Sequence, residues 1–315
     1  MRAKRNRIPV ILDTDIGGDI DDTWALAMML KCPELDVKLI VSDTGDTTYG
    51  SKIIAKMLEI AERTDVPVGV GRRFRDDSEF PQAPWVEGYR LSDYPGTVHE
   101  DGVGAIIDTI MNASEPITLI CIGPVPNIGE ALDREPRIVD KARFVGMHGS
   151  VYKGYDGTEN ISAESNVVNH TSACQKVFTA SWDITITPLD TCGLVVLGGE
   201  KYQAIQRCPD PLIQALMENY RIWLSADLSW RGDSGIATRD RVAQADTKST
   251  TLFDTVAVYL AFSKEFLEME DLGIRVSDDG YTLRDENAKR VHVAVNWRNL
   301  GAFEDFLVEC LTSQK

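Results

Sequence analysis

Five aspartates lie within ten residues near the start of the chain: Asp13, Asp15, Asp19, Asp21 and Asp22. A helix N-terminus stabilises nearby carboxylates, and capping would therefore explain one or two of them. Five close carboxylates repel one another and raise one another's pKa, so a cation is needed to offset the cost. Hard divalent ions such as Ca²⁺ and Mg²⁺ prefer oxygen ligands. The pattern predicts a metal site in this acidic segment, residues 13–22.

One chemistry that uses such a segment is phosphoryl transfer. Phosphatases of the haloacid-dehalogenase type have a strand ending in Asp-x-Asp-x-Thr or Asp-x-Asp-x-Val, whose first aspartate attacks phosphorus. Here Gly17 stands where Thr or Val belongs, and Asp21 and Asp22 have no role in that scheme. The phosphatase remains an alternative interpretation, and it predicts activity on an aryl phosphate in Mg²⁺.

The acidic segment more closely resembles the N-terminal signature of the inosine-uridine type nucleoside hydrolases, Asp-x-Asp-x-Gly-x-Asp-Asp before an apolar helix. Gly18 and Asp19 are two extra residues in the turn. Further stretches resemble that family in the same order along the chain: residues 44–46, 99–104, 123–128, 135–138 with 145–149, 163–166 and 252–257. Seven landmarks in the correct order argue against chance similarity.

The resemblance implies hydrolysis of the N-glycosidic bond of a ribonucleoside or related riboside by a Ca²⁺-bound water. Cleavage develops oxocarbenium character on the ribose, which requires an activated water and anionic surroundings. By match to the family, Asp15 would bind Ca²⁺ and act as the general base. The other metal ligands would be Asp22, Asp254 and the main-chain carbonyl of Pro126, which stands where the family has threonine. Taken alone, Asp254 is better explained as a helix N-cap.

The resemblance also implies a set of sugar contacts. Asp21 would accept a hydrogen bond from a ribose hydroxyl, and Met147 would pack under the sugar ring. Glu164 and Asn166 would hold the 5′ and 3′ sides of the sugar. Asp46 replaces the family's asparagine, and because a carboxylate accepts but cannot donate hydrogen bonds, contacts at that position would change.

Phe253 is a departure from the family, whose base-specific members carry a histidine there to assist the leaving base. Phenylalanine cannot donate a proton, so three alternatives are open. The acid is His99 or His148; or an aromatic side chain stacks on the base; or the leaving group is not a usual nucleobase. The aromatic candidates include Trp223 and Trp230. Phe253 and Asp46 also support a rival function, a non-catalytic ribose- or nucleoside-binding protein with a retained metal site.

The elements that must position these residues alternate between strand and helix. Apolar runs such as residues 117–122 predict buried strands, and apolar stretches such as residues 24–30 predict helices. This pattern indicates an α/β fold, a doubly wound and mostly parallel central sheet with helices on both faces. We expect one domain over residues 1–315, with the polar segments 72–100 and 225–250 as binding loops or lids.

Composition excludes several classes of protein. With 33 Lys and Arg against 49 Asp and Glu, the net charge is −16, which disfavours nucleic acid or anionic membrane as a partner. No apolar run approaches the roughly 20 residues that span a bilayer. The six cysteines form no CxxC pair, which indicates a reducing compartment. We therefore expect a cytoplasmic protein, and the family resemblance implies a homodimer or homotetramer.

Overall fold

The computed structural model describes residues 7–74, 80–228 and 238–313, and its central feature is one mixed sheet. Ten strands form this sheet within the described residues: β1 (Ile8–Thr14), β2 (Leu35–Ser42), β3 (Val68–Gly69), β4 (Val98–His99), β5 (Ile117–Cys121), β6 (Ala142–Met147), β7 (Ile184–Thr187), β8 (Leu267–Val276), β9 (Thr282–Arg284) and β10 (Arg290–Trp297).

Their spatial order is β4-β3-β2-β1-β5-β6-β7-β10-β8-β9. Every pairing from β4 to β10 is parallel, whereas β8 pairs antiparallel with β10 and with β9. The order runs outward from β1 in both directions, as in a doubly wound sheet. The predicted α/β class is confirmed.

The helices of the described residues connect and cover these strands. They are α1 (Asp21–Lys31), α2 (Thr47–Ile60), α3 (Gly102–Asn112), α4 (Pro126–Arg134), α5 (Ser165–Asn169), α6 (Thr171–Thr179), α7 (Leu189–Cys192), α8 (Gly199–Arg207), α9 (Pro211–Ser225), α10 (Thr238–Gln244), α11 (Thr255–Leu260) and α12 (Leu300–Thr312).

Two apolar cores lie on opposite faces of the sheet, because successive side chains of a strand point to opposite sides. In β1, Val10 and Leu12 pack into the core that α1, α2, α8, α9, α11 and α12 share. Ile11 packs into the second core with α3, α4 and α6. Both faces of β1 are therefore buried, which explains why its sequence is apolar throughout.

Helix α1 is enclosed on every side, since all eleven of its residues are buried. At its C-terminal end the Lys31 ammonium donates to Asp210 Oδ2 and to the carbonyl of Ser313, both at 2.6 Å. At its N-terminal end lie the acids of residues 13–22. Helix α1 therefore fixes the acidic segment to the centre of the molecule.

The two segments predicted as irregular loops contain short elements. Residues 72–100 include 3-10 helices at Ala83–Val86 and Leu91–Asp93 and the edge strand β4, and residues 225–250 include α10. Among the described residues, no helix combines the length and apolar character that crossing a membrane requires.

Candidate metal centre

The acidic segment lies at the carboxyl edge of the parallel strands, where β1 ends at Thr14 and α1 begins at Asp21. Ligands bind at this edge in open α/β sheets. Asp21, Asp22 and Asp254 are all buried, and one carboxylate oxygen of each lies within 4.8 Å of the other two. The structure thus brings two acids from α1 together with one acid that is more than 230 residues away in the chain.

Asp254 occupies the N-cap position of α11 but makes no capping hydrogen bond with its side chain. Its carboxylate points instead to Asp21 and Asp22. Capping, the better explanation from sequence alone, therefore does not account for this aspartate.

Asp15 lies before the turn that leads to Asp21 and Asp22, and its charge helps to raise the pKa of Asp22 and Asp254. Its side chain packs against Gly123 at the end of the next strand, where an added Cβ would lie 3.0 Å from Asp15 Oδ1. Burial, together with the nearby charges of Asp43, Asp19 and Glu164, raises the pKa of Asp15 to about 8. Only a residue without a side chain permits this approach of β5 to Asp15.

Mutual repulsion makes these acids costly without a counter-ion. Burial raises the pKa of both Asp22 and Asp254 well above the usual value, and neighbouring acids add to the shift. The neighbour is chiefly Asp15 for Asp22, and Asp21 for Asp254. Several hard oxygen donors that converge on one point are the ligand set of a divalent cation. This part of the chain therefore fits a metal ion.

Behind these acids lies a second, fully buried pair. Asp13 accepts a hydrogen bond from Asn127 Nδ2 at 2.8 Å and lies against Asp43, which accepts from the Val125 N–H at 3.0 Å. Burial raises the pKa of Asp13 to about 7 and that of Asp43 well above its usual value. This pair ties β1, β2 and the start of α4 together under the candidate metal centre.

Pro126, the predicted carbonyl ligand, is the first residue of α4. Val125 precedes it with a φ of 59°, a left-handed conformation that a β-branched residue rarely adopts. Strain of this kind is kept where the surrounding structure fixes the backbone, and it concentrates at functional sites.

The predicted sugar-binding residues line the same edge. Glu164 is buried and accepts hydrogen bonds from the N–H groups of Gly149, Asn166 and Val167, while burial raises its pKa to about 7. The Asn166 amide donates to the carbonyls of Ile122 and Met147, each at 3.0 Å. Asn166 thereby joins the ends of β5 and β6.

Asp46 and the two candidate histidines have other surroundings. Asp46 caps α2 by accepting from the Tyr49 N–H at 3.0 Å. His148 is fully buried against Phe144, its Nε2 lies 3.1 Å from the Gly123 carbonyl, and burial lowers its pKa to about 3. His99 is exposed on β4, three strands from β1, which corresponds to about 14 Å at the usual strand spacing.

Trp223 is 1% exposed, and its indole N–H donates to the Gly18 carbonyl at 2.8 Å. Its ring also stacks on Tyr220, with centroids 6.4 Å apart. Trp230 lies outside the described residues.

Sequence reasoning missed Tyr155, whose ring lies edge-on to Phe253 with centroids 6.4 Å apart. Its hydroxyl accepts from the Ser165 N–H at 3.0 Å, and burial, then the charge of Glu164, raises its pKa. The available signal was its position in a glycine-containing polar loop after β6, a strand whose end was already expected at the site. Gln82, whose side-chain amide donates to the Asp19 carbonyl at 3.2 Å, was also missed, because no local sequence pattern marks it.

Comparison with known proteins gives consistent results. A family described as inosine-uridine preferring nucleoside hydrolase matches residues 10–304. A non-specific ribonucleoside hydrolase of Klebsiella pneumoniae is 31% identical over 267 residues, which cover 81% of this chain and 84% of that protein. A probable uridine nucleosidase of Arabidopsis thaliana is 23% identical over 93% of this chain and 90% of its own length.

Solved structures show the same fold. A plant nucleoside hydrolase superimposes with a TM-score of 0.79 at 20% identity, over 98% of this chain and 99% of its own. A purine-preferring ribonucleoside hydrolase from Gardnerella vaginalis gives a TM-score of 0.73 at 19% identity, over 96% and 98% of the two chains.

Proposed function

Because this chain belongs to the inosine-uridine preferring nucleoside hydrolase family and is an N-ribosyl hydrolase, we propose that it releases ribose and base from a nucleoside by a Ca²⁺-assisted attack of water. The observation that carries the proposal is the convergence of the buried Asp21, Asp22 and Asp254 carboxylates within 4.8 Å, together with the charge of Asp15, which helps to raise the pKa of both Asp22 and Asp254. A neutral sugar does not require such a charge density, whereas a cation and an oxocarbenium-like sugar do.

In this proposal, Asp15, Asp22, Asp254 and the Pro126 carbonyl hold Ca²⁺. When bound, the ion would orient a water molecule and lower its pKa. Asp15 is only partly covered and accepts the proton of the attacking water. In the metal-free protein the pKa of Asp15 is raised to about 8, and a cation would return it toward an ionised base.

In the same proposal, the sugar is bound by acidic and amide side chains at the carboxyl edge of the sheet. Asp21 accepts from a ribose hydroxyl, Glu164 and Asn166 hold the 5′ and 3′ sides of the sugar, and Met147 packs under the ring. The three N–H groups that bind Glu164 support this role because they fix its carboxylate in one orientation.

The leaving base would contact the side of the site at Phe253. Tyr155 lies against Phe253 and keeps its proton at neutral pH, because its pKa is raised. It is therefore a better candidate hydrogen-bond donor than His148, which is buried and has a lowered pKa. Tyr155 or stacking at this position would replace the histidine of base-specific relatives.

We further propose that the chain forms one domain and acts in the cytoplasm as a homodimer or homotetramer, on a small nucleoside and not on nucleic acid or a membrane. All six cysteines are buried free thiols, which supports a reducing compartment. The net charge of −16 supports the exclusion of polyanionic partners.

The test is release of free sugar from a panel of purine and pyrimidine ribosides in calcium, with and without a chelator. Asp15→Asn should lower kcat by about 100- to 10,000-fold, the usual contribution of a general base. Asp140→Asn makes the same chemical change at an exposed position and serves as the control.

Calorimetric binding of ribosides without sugar release would contradict the proposal and favour a non-catalytic binding protein. Equal turnover by Asp15→Asn and Asp140→Asn would contradict the assigned mechanism.

A further inference from the structure

Three consecutive main-chain carbonyls at the tip of the acidic segment each accept a hydrogen bond from a different part of the chain. The Tyr49 hydroxyl of α2 donates to Gly17 at 3.2 Å, and Trp223 Nε1 of α9 donates to Gly18 at 2.8 Å. Gln82 Nε2, just before the 3-10 helix Ala83–Val86, donates to Asp19 at 3.2 Å. We infer that Tyr49, Gln82 and Trp223 are positioning residues that hold the metal-binding turn in its ligating shape.

The backbone of the turn has a conformation that few residues adopt. Gly17 has a φ of 118°, which only glycine adopts freely, and a Cβ there would lie 2.6 Å from the Tyr49 ring. Residues 17–19 lie between β1 and α1, outside both elements. Main-chain carbonyls that are shielded from water need hydrogen-bond partners, and here a side chain supplies one to each of the three.

The three anchors are also connected to one another. The Gln82 N–H donates to the Tyr49 hydroxyl at 3.0 Å. Gln82 Oε1 accepts from Asn219 Nδ2 at 2.7 Å and from Thr23 Oγ1 at 3.1 Å. Gln82 is fully buried, and its side chain therefore joins α1 and α9 to the turn. Gln82 thus contacts Tyr49 directly and contacts the helix that carries Trp223 through Asn219.

The position of the turn explains what this network controls. Asp15 precedes residues 17–19, and Asp21 and Asp22 follow them, so the path of the turn sets the distance between the two sides of the candidate metal centre. Two of the anchors come from parts of the chain far from the turn in sequence, Gln82 before the 3-10 helix Ala83–Val86 and Trp223 near the end of α9. This inference rests on the proposed function for its link to metal binding.

Tyr49→Phe and Trp223→Phe each remove one donor to the turn and keep a ring in place, and Tyr49→Phe also removes the acceptor of the Gln82 N–H. The matched controls are Tyr94→Phe and Trp182→Phe, which remove the same kinds of donor from the carbonyls of Val66 and Val177, away from the turn. Calcium alone is titrated into each metal-free protein by calorimetry, and thermal melts are recorded beside it. We expect the two turn variants to bind calcium about 10- to 100-fold more weakly, the usual effect of losing an outer-shell contact, and the controls to bind as the parent does.

Hydrogen exchange of a peptide covering residues 13–24 in the metal-free proteins provides a readout that does not depend on calcium. We expect faster exchange in the turn variants than in the controls. Should the parent protein bind no calcium, the proposed metal fails, and exchange alone still decides whether the anchors hold the turn.

Unchanged exchange in both turn variants relative to their controls would overturn the inference. The inference would also be overturned if Trp223→Phe bound calcium as the parent does but had a raised KM for nucleosides of particular bases. That result would assign the Trp223 ring to base stacking instead.

Discussion

Asp210 and Asp254 occupy the same local position, the N-cap of a helix, and have opposite electrostatic surroundings. Asp210 caps α9 by accepting from the Leu212 N–H at 3.0 Å. Partial burial alone would raise its pKa, but the Lys31 ammonium at 2.6 Å keeps the pKa below its usual value. Asp254 makes no cap, and burial among other acids raises its pKa well above the usual value.

The difference shows that one residue type at one helix position serves either local folding or a distant site. Asp210 stabilises the fold in its ionised form, with a cation supplied by the protein. The ionised form of Asp254 destabilises the metal-free fold, and its cation must come from solution. Local sequence around the two residues does not distinguish them, because the partners lie elsewhere in the chain.

The largest difference between Asp210 and Asp254 is expected when Asp254 is replaced in Asp254→Asn. Loss of one carboxylate from the centre should weaken calcium binding by more than the roughly 100-fold typical of an outer-shell change. The same variant should raise the thermal stability of the chelated protein, because it removes the free-energy cost of burying or protonating a carboxylate among other acids. Calorimetry and thermal melts measure both effects, and a fall in stability without metal would break the comparison.

The pH dependence of stability should also differ between the buried acids of the candidate metal centre and Asp210. When a chelator has removed metal ions, the pKa is raised to about 7 for Asp13, about 8 for Asp15 and about 7 for Glu164. The folded protein therefore binds more protons than the unfolded chain does. Stability from these groups is therefore greatest in acid and is lost as the pH rises between about 4 and 8. Asp210 contributes with the opposite sign, at lower pH.

Melting curves from pH 4 to pH 8 test this expectation, with saturating calcium as the control. Calcium should remove most of the fall in melting temperature with rising pH, since it stabilises the ionised carboxylates. A chelated protein whose melting temperature rises over this range would contradict the assigned pKa shifts.

A smaller effect is expected from Asp210→Asn. Asparagine can still cap the helix, but the buried Lys31 ammonium loses a charged acceptor, which should cost about 1–3 kcal/mol of unfolding free energy. Calcium affinity should not change. Denaturant unfolding gives the first quantity and calorimetry the second, and weaker calcium binding would show that the two positions are coupled through α1.

The smallest effect isolates capping itself. Asp101 is exposed and accepts from the Gly104 N–H at 3.1 Å at the start of α3. Asp101→Ala should cost about 1 kcal/mol and Asp101→Asn less, because asparagine still accepts from that N–H. Unfolding in denaturant compares the two variants, and equal losses would attribute the effect to the nearby Arg134 rather than to the cap.

Strands that are buried on both faces were predictable because their apolar runs are continuous. This holds for β1, β2, β5, β6 and β7, and their carboxyl ends gave the position of the site. The antiparallel strands β8 and β10 mix charged and apolar residues, and the sequence pattern did not mark them. Strands with one face partly exposed to solvent carry a weaker signal than strands buried on both faces.

Within the site, the acids were predictable from their crowding and from an ordered resemblance. The anchors of the turn were not, because a hydrogen bond between residues 18 and 223 leaves no trace in either local sequence. Tyr155 lies between these cases. Its loop was visible, but its contact with Phe253 depends on how two distant segments fold together.

The enclosure of α1 has a consequence for engineering. Each of its eleven side chains is packed by neighbours, so a substitution on this helix must be accommodated by several elements at once. Libraries that seek new substrate preferences should therefore leave α1 intact and vary exposed aromatic residues. Two of these are Phe80, whose ring lies against Tyr49, and Tyr155, whose ring lies against Phe253, and a changed side chain there meets water instead of a filled core.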